Sequence, residues 1–149
     1  MRSAMSKSEM RAQVTLPTSA EAGAQRRARL LGNREWLTQQ QVDDLLKGAR
    51  RRHTSQQLRV ARRLAGVRIE GVYLYPVVLF DRTTGVPWPV TAKLLSILPA
   101  DMGDWATING LFQGRKSLGG ECPADCLASA PEKALAAARD DFAPSPTTW

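Results

Sequence analysis

Residues 47–68 carry eight basic side chains and no acidic one. A run of that density resists burial, because each cation taken out of water without a partner meets a large desolvation cost. The fold has to leave this stretch at a surface and draw its core from the apolar residues threaded through and around it. The same imbalance divides the whole chain. Residues 1–80 hold 15 Lys and Arg against 6 Asp and Glu, a net of +9, whereas residues 81–149 hold 6 against 8, a net of −2. A basic front and a mildly acidic back suggest a polyanion partner for the first part and a different task for the second. At 149 residues the chain makes one ordinary domain or two small ones.

Residues 1–34 contain no aromatic side chain and no sustained period, and they read as a flexible basic arm in which residues 20–31, with Arg26, Arg27 and Arg29, suit a frayed helix. Residues 35–80 read as a small winged helix-turn-helix. Thr38 and Gln41 have capping-box spacing ahead of Val42, Leu45 and Leu46, which predicts a helix over about residues 39–47. Gly48 is expected to close it in a left-handed conformation. A basic connector follows, and then a second helix from Thr54 or Ser55 to about Leu64, with Leu58, Ala61, Leu64 and Ala65 at helical spacing. Residues 67–76 contain two β-branched or aromatic stretches joined by Glu70-Gly71, the pattern of a tight hairpin that Pro76 ends.

Residues 81–100 read as a connecting segment with a helix through Val90, Leu94, Ile97 and Leu98, stopped by Pro99. Residues 101–143 read as a compact helical domain. Asp104 is expected to cap a helix through Trp105, Ile108, Leu111 and Phe112. Gly119-Gly120 makes a turn, and Pro123 suits the first turn of a short helix. Ser129 and Glu132 repeat the capping-box spacing before a last helix, through Leu135 and Ala138 to about Phe142. Residues 144–149 form an extended tail. The fold class is mainly α, a small winged helix-turn-helix with a short hairpin followed by a compact helical domain.

Several functions are disfavoured by residue type alone. The longest mostly apolar run, residues 72–80, is broken by Pro76 and falls far short of the roughly 20 residues of a membrane span. The amino terminus lacks the apolar core of a secretory signal, although its Arg-rich, acid-poor character slightly resembles a transit peptide. Cys122 and Cys126 share a helix face at their spacing, where a disulfide is geometrically disfavoured, so reduced thiols in a cytoplasm are expected. Two cysteines and one histidine fall short of a structural zinc set. Leu118-Gly119-Gly120 lacks the Gly-Lys-Ser/Thr ending of a nucleotide loop. The adjacent pairs Asp43-Asp44 and Asp140-Asp141 point apart on a helix. No cofactor and no enzymatic activity are expected.

The chemistry that does fit is double-stranded DNA binding. Arg50, Arg51, Arg52 and His53 supply the turn, Ser55, Gln56, Gln57, Arg59, Arg62 and Arg63 the candidate reading helix, and Arg68 and Tyr73 the wing. Gln56 and Gln57 suit adenine edges, Arg59 suits guanine or phosphate, and Arg62 and Arg63, deeper along the helix, suit phosphate. His53 is either a phosphate or base contact or a solvated loop residue. Tyr73 and Tyr75 either touch the DNA or pack under the hairpin.

Two stretches resemble known families. Residues 36–80, with Leu37-Thr38-Gln39-Gln40-Gln41-Val42, Gly48, Ala65-Gly66-Val67-Arg68 and Gly71-Val72-Tyr73-Leu74-Tyr75-Pro76, resemble the excisionase or MerR-like helix-turn-helix. Residues 101–142, with Trp105-Ala106, Leu118-Gly119-Gly120, Pro123, Leu127 and an Ala-rich last helix, resemble the toxin-binding domain of the Xre, MbcA and ParS antitoxins. The connector 49–53 departs from the small-apolar and Ser-rich turn of the first family. Cys122, Asp125 and Cys126 depart from the leucine-rich helix of the second.

The resemblance implies a bacterial, cytoplasmic antitoxin that binds operator DNA, neutralises a cognate toxin, often a RES-domain enzyme that consumes NAD, and represses its own operon. Candidate partner contacts are Trp105, Leu111, Phe112, Arg115, Lys116, Leu118, Gly119, Gly120, Pro123 and the terminal Trp149. A homodimer reading two half-sites fits this picture. The competing readings are a stand-alone regulator or recombination accessory protein whose carboxy-terminal helices only dimerise, and an RNA-binding module.

Overall fold

The computed structural model describes residues 19–142; Trp149 and the tail proposed for residues 144–149 lie outside them. The chain divides into two compact units, residues 1–33 and residues from Arg34 onward. In the first, α1 (Ser19–Asn33) carries Glu21 in its first turn, where a negative charge meets the positive end of the helix dipole. It spans the segment expected to be helical. The second unit is mainly helical with a small three-stranded antiparallel sheet.

Thr38 performs two tasks at the start of that unit. It is the last residue of β1 (Trp36–Thr38) and the N-cap of α2 (Gln39–Gly48). Its Oγ1 accepts from the Gln41 amide at 3.1 Å, and Gln41 Oε1 accepts from the Thr38 amide at 2.8 Å. Two otherwise unpaired N–H groups are satisfied together. The same device recurs at α3 (Ser55–Val60), where Thr54 and Gln57 exchange bonds of 3.2 and 2.9 Å. The two helices are tied by Asp43, whose carboxylate accepts from the Ser55 amide at 2.8 Å.

Both helices end differently from expectation. Gly48 does not take the left-handed conformation; Arg50 does, at φ 58°, and Arg62 does so after α3, at φ 59°. Arg51 N–H then reaches back to the Leu46 carbonyl and Arg63 N–H to the Leu58 carbonyl, each at 2.8 Å. This is the Schellman closure, which saturates terminal carbonyls at the expense of one left-handed residue. The second helix therefore stops at Val60 rather than near Leu64.

After α3, β2 (Val67–Ile69) and β3 (Val72–Pro76) form the expected hairpin. Glu70 and Gly71 turn it with φ of 50° and 82°, the pair of positive values that matches the twist of two-residue hairpins. The sheet order is β1-β3-β2, with Leu37 opposite Tyr75 and Arg68 opposite Tyr73. Two helices inserted between the first strand and a terminal hairpin are the layout of a winged helix-turn-helix.

A 3-10 turn (Val77–Leu79) leads by way of a bridge between Phe80 and Pro87 into α4 (Pro89–Ile97), which opens on proline. Then come α5 (Asp104–Phe112), capped by Gly103 with Asp104 as its first residue, and 3-10 turns at Lys116–Leu118 and Pro123–Cys126. The unit ends in α6 (Pro131–Phe142). Tyr75, Leu79, Leu94, Ile108, Leu111 and Leu127 form the centre of the core. Thr91 is buried among them and satisfies its hydroxyl by donating to the Leu79 carbonyl at 3.2 Å. Among the described residues no helix is long and apolar enough to cross a membrane.

The loop before α6 is fastened to the start of the unit. Arg34 grips Asp125 with both guanidinium nitrogens, one bond being 2.9 Å, and its guanidinium lies 4.8 Å from the centre of the Phe112 ring. The bond from Arg34 holds the Asp125 carboxyl below the usual carboxylate range, against the opposing effect of burial. A depressed folded-state pKa stabilises the fold above the unfolded value, and that contribution is lost as pH falls through the folded value. Acid titration of the Asp125→Asn variant should therefore show a smaller loss of stability below about pH 4 than the parent chain. Equal acid sensitivity in the two would contradict the pairing.

Candidate nucleic-acid interface

The basic run of residues 47–68 separates in the structure into cations that face outward and cations fixed to the protein. Arg50, Arg51, Arg52, His53, Gln56, Arg63 and Arg68 are exposed. They come from the turn, from α3 and its end, and from β2. Gln57 is also exposed, but its side-chain oxygen is held by the cap of α3. That leaves Gln56 as the amide of α3 whose two polar ends point free of the cap.

Arg59, Arg62 and Tyr73 are placed differently from a simple DNA-facing reading. The Arg59 guanidinium sits 3.7 Å from the centre of the Tyr73 ring, and its Nε donates to the Tyr75 hydroxyl at 3.2 Å. A cation over an aromatic face and a hydrogen bond beside it fix α3 to β3. Tyr73 stacks on Tyr75 with ring centres 6.2 Å apart and donates its hydroxyl to Asp104 at 3.0 Å. Burial raises the Tyr73 pKa first, and the bond to Asp104 adds to it. Tyr73 thus joins the wing to α5.

Arg62 crosses to the end of α4. Its guanidinium donates to the carbonyls of Leu95, Leu98, Pro99 and Ala100 at 3.1 to 3.4 Å. It caps the last turn of that helix, where a cation also meets the negative end of the dipole. Arg62 is accordingly a strut between the winged unit and α4, and the phosphate role expected for it is corrected. Arg62→Ala should lower unfolding free energy by about 2 kcal/mol, since it leaves several carbonyls without a charged donor. Urea denaturation checks this, and an unchanged midpoint would show that the four bonds contribute nothing.

Ser55 is a second correction. It is fully buried, with its amide bonded to Asp43; the first residue of α3 faces α2, not solvent. Two apolar residues of the outward surface are absent from the expected set. Val60, at the end of α3, is 70 % exposed and Val72, on the wing, is 47 % exposed. The available signal was that Val60 stands off the stripe of Leu58, Leu64 and Ala65, among amides and arginines.

The candidate partner residues also divide. Leu111 and Pro123 are buried and belong to the core, which corrects their assignment to a partner surface. Phe112 is half-buried, 6.4 Å from the Trp36 ring centre and beside Arg34. Trp105 and Leu118 are half-buried, and Lys116, Gly119 and Gly120 are exposed. Arg115 pairs with Asp141 at 3.0 Å and donates to the Gly110 carbonyl at 3.2 Å, linking α5 to α6. Gly119 and Gly120 make the expected turn with φ of 68° and 91°. Burial raises the thiol pKa of Cys122 and of Cys126, the opposite of what a nucleophilic cysteine needs. Among the described residues no cluster of His, Cys, Asp and Glu is arranged to hold a metal.

Compared with protein-family models, curated proteins and solved structures, the chain matches none.

Proposed function

We propose that this chain is a DNA-binding, antitoxin-like repressor that approaches duplex DNA with α3 and the β2–β3 wing. The observation that carries the reading is the sorting of the arginines. Arg59 and Arg62 brace α3 from behind, against β3 and α4, while Arg50, Arg52, Gln56, Val60 and Arg68 stay exposed. A helix held from behind, which presents one amide and one apolar side chain and is flanked by cations of the turn and wing, has the parts that groove recognition uses. Arg50 and Arg52 at the turn and Arg68 on the wing hold phosphates, Gln56 pairs with an adenine edge, and Val60 meets a thymine methyl. Two copies would place two such helices on neighbouring half-sites.

The test is enrichment of bound duplexes from a random library, followed by affinity measurements across salt. A recurring motif whose affinity falls steeply with salt is expected. Binding with no recurring motif, or with equal affinity for single-stranded RNA, would overturn the reading.

The carboxy-terminal surface around Trp105, Phe112, Lys116 and Gly119-Gly120 is proposed to meet a protein partner, a toxin by the antitoxin resemblance. Partly covered aromatic side chains beside exposed polar ones suit such a contact. Burial of Leu111 and Pro123 favours a second reading, a stand-alone regulator whose last helices complete the fold. Co-expression with the product of the adjacent gene decides between them: rescue from its toxicity together with co-purification supports the antitoxin, and a homodimer with neither supports the regulator.

A further inference from the structure

The two helix endings of the winged unit build a cleft that the DNA reading does not use. Its volume is about 410 Å³, and its wall contains Leu46 and Arg51 from the end of α2 and Leu58 and Arg63 from the end of α3. These are the same pairs that the two Schellman closures join, Arg51 N–H to Leu46 and Arg63 N–H to Leu58. Each closure places a leucine on the floor and swings the following arginine to the rim. Each does so through an arginine held in a left-handed conformation, which costs a non-glycine residue on the order of 1–2 kcal/mol. The Leu45, Leu46 and Lys47 carbonyls at one helix end and the Gln57, Leu58 and Arg59 carbonyls at the other accept bonds in the closures, which blunts the negative ends of the two dipoles.

The remaining wall gives the cleft a recognisable chemistry. Trp88 supplies an aromatic surface, and His53 adds a third nitrogen base to the rim. The single acid there, Asp81, already accepts from the Thr83 amide at 2.9 Å. Arg51, His53 and Arg63 are exposed at the mouth, whereas Leu46 and Leu58 are buried beneath. A concave site of this volume with an apolar floor and a few convergent polar groups is within the range of small-molecule pockets, about 300–1,000 Å³.

We propose that this cleft binds a small anion carrying a flat ring, of the size and chemistry of a nucleoside monophosphate. The ring lies against Trp88 over the leucine floor. The phosphate is held at the rim by Arg51 and Arg63, whose planar guanidinium groups suit bidentate contact with it.

Calorimetric titration of the intact, DNA-free chain with AMP and with GMP tests this separately from any duplex binding. Saturable one-to-one binding is expected for at least one of them. Adenosine and inorganic phosphate, each lacking half of the ligand, should bind at least about tenfold more weakly, a difference of about 1.4 kcal/mol. Trp88→Leu and Arg63→Gln should each weaken the nucleotide by about tenfold or more with the thermal midpoint retained. Should Trp88→Leu fail to fold, Arg63→Gln, at an exposed position, decides alone. The proposal is overturned if neither nucleotide saturates the protein at about 10 mM, if inorganic phosphate binds as well as the nucleotide, or if folded variants keep the parent affinity.

Discussion

Alanine in place of Gly66 is expected to destabilise the second unit by about 3 kcal/mol, the upper end of the usual cost of overpacking. A Cβ at this position would stand 2.6 Å from Tyr75 Cδ1 and 2.7 Å from the Leu74 carbonyl oxygen. Neither neighbour can yield cheaply. Tyr75 is fully buried, and the Leu74 carbonyl belongs to a central strand paired on both sides. Interiors are packed densely enough that a methyl group forced against backbone moves the backbone. The damage should also spread to the candidate interface, because Tyr75 receives the hydrogen bond from Arg59 that holds α3 in place. Urea denaturation gives the stability change. A midpoint equal to that of the parent chain would show that β2 and β3 can part without penalty and that the packing of Tyr75 and the Leu74 carbonyl against Gly66 does not hold the hairpin in place.

The second large effect concerns affinity. Arg50, Arg52 and Arg68 are exposed, and no side-chain hydrogen bond or ion pair engages them among the described residues. Changing all three to glutamine should cost little stability, because substitutions of this kind at a surface rarely exceed about 0.5 kcal/mol each. Affinity for an enriched duplex should nevertheless fall by about a hundredfold or more at physiological salt. The slope of log affinity against log salt should flatten by about 3, because each phosphate contact removed withdraws nearly one released counterion. An unchanged slope would place the phosphate contacts on another surface. Arg62 does not belong with these three, since its four carbonyl bonds make any loss of binding there a consequence of a displaced α4.

Those two expectations show which parts of the fold and site were legible in residue order. Local chemistry was readable. The capping spacing of Thr38 and Gln41 marked the start of α2, Glu70-Gly71 marked the hairpin, and Gly119-Gly120 marked a turn. Each depends on neighbours a few residues apart. β1 was not readable, because Trp36–Thr38 is too short to show alternation and exists only by pairing with β3. The end of α2 misled for a related reason. Gly48 is the residue best suited to a left-handed backbone, but the closure requires that conformation at position 50, and the reach of Arg51 N–H to Leu46 decides the matter over local preference.

The candidate site shows the same division more sharply. Charge density marks the stretch of chain from which the exposed cations come, yet it gave no means of separating Arg50, Arg52 and Arg68 from Arg59 and Arg62. Only tertiary partners make that distinction: an aromatic face from β3 for one, the carbonyls at the end of α4 for the other. Ser55 likewise resembles an exposed polar residue in sequence and is buried because Asp43, twelve residues earlier, caps its amide. Val60 and Val72 are the opposite case, apolar residues that the packing leaves outside.

Base reading by α3, as proposed above, is tested most directly by the base preference of a Gln56→Ala variant. Gln56 is exposed on α3, and its side chain takes no part in the cap that engages Gln57. Enrichment from the same random library should return a motif that differs from the parent motif at one or two adjacent base pairs. Discrimination there should be lost by about tenfold or more, with the salt slope unchanged. An identical motif with identical discrimination at every position would contradict the claim that α3 lies in the groove.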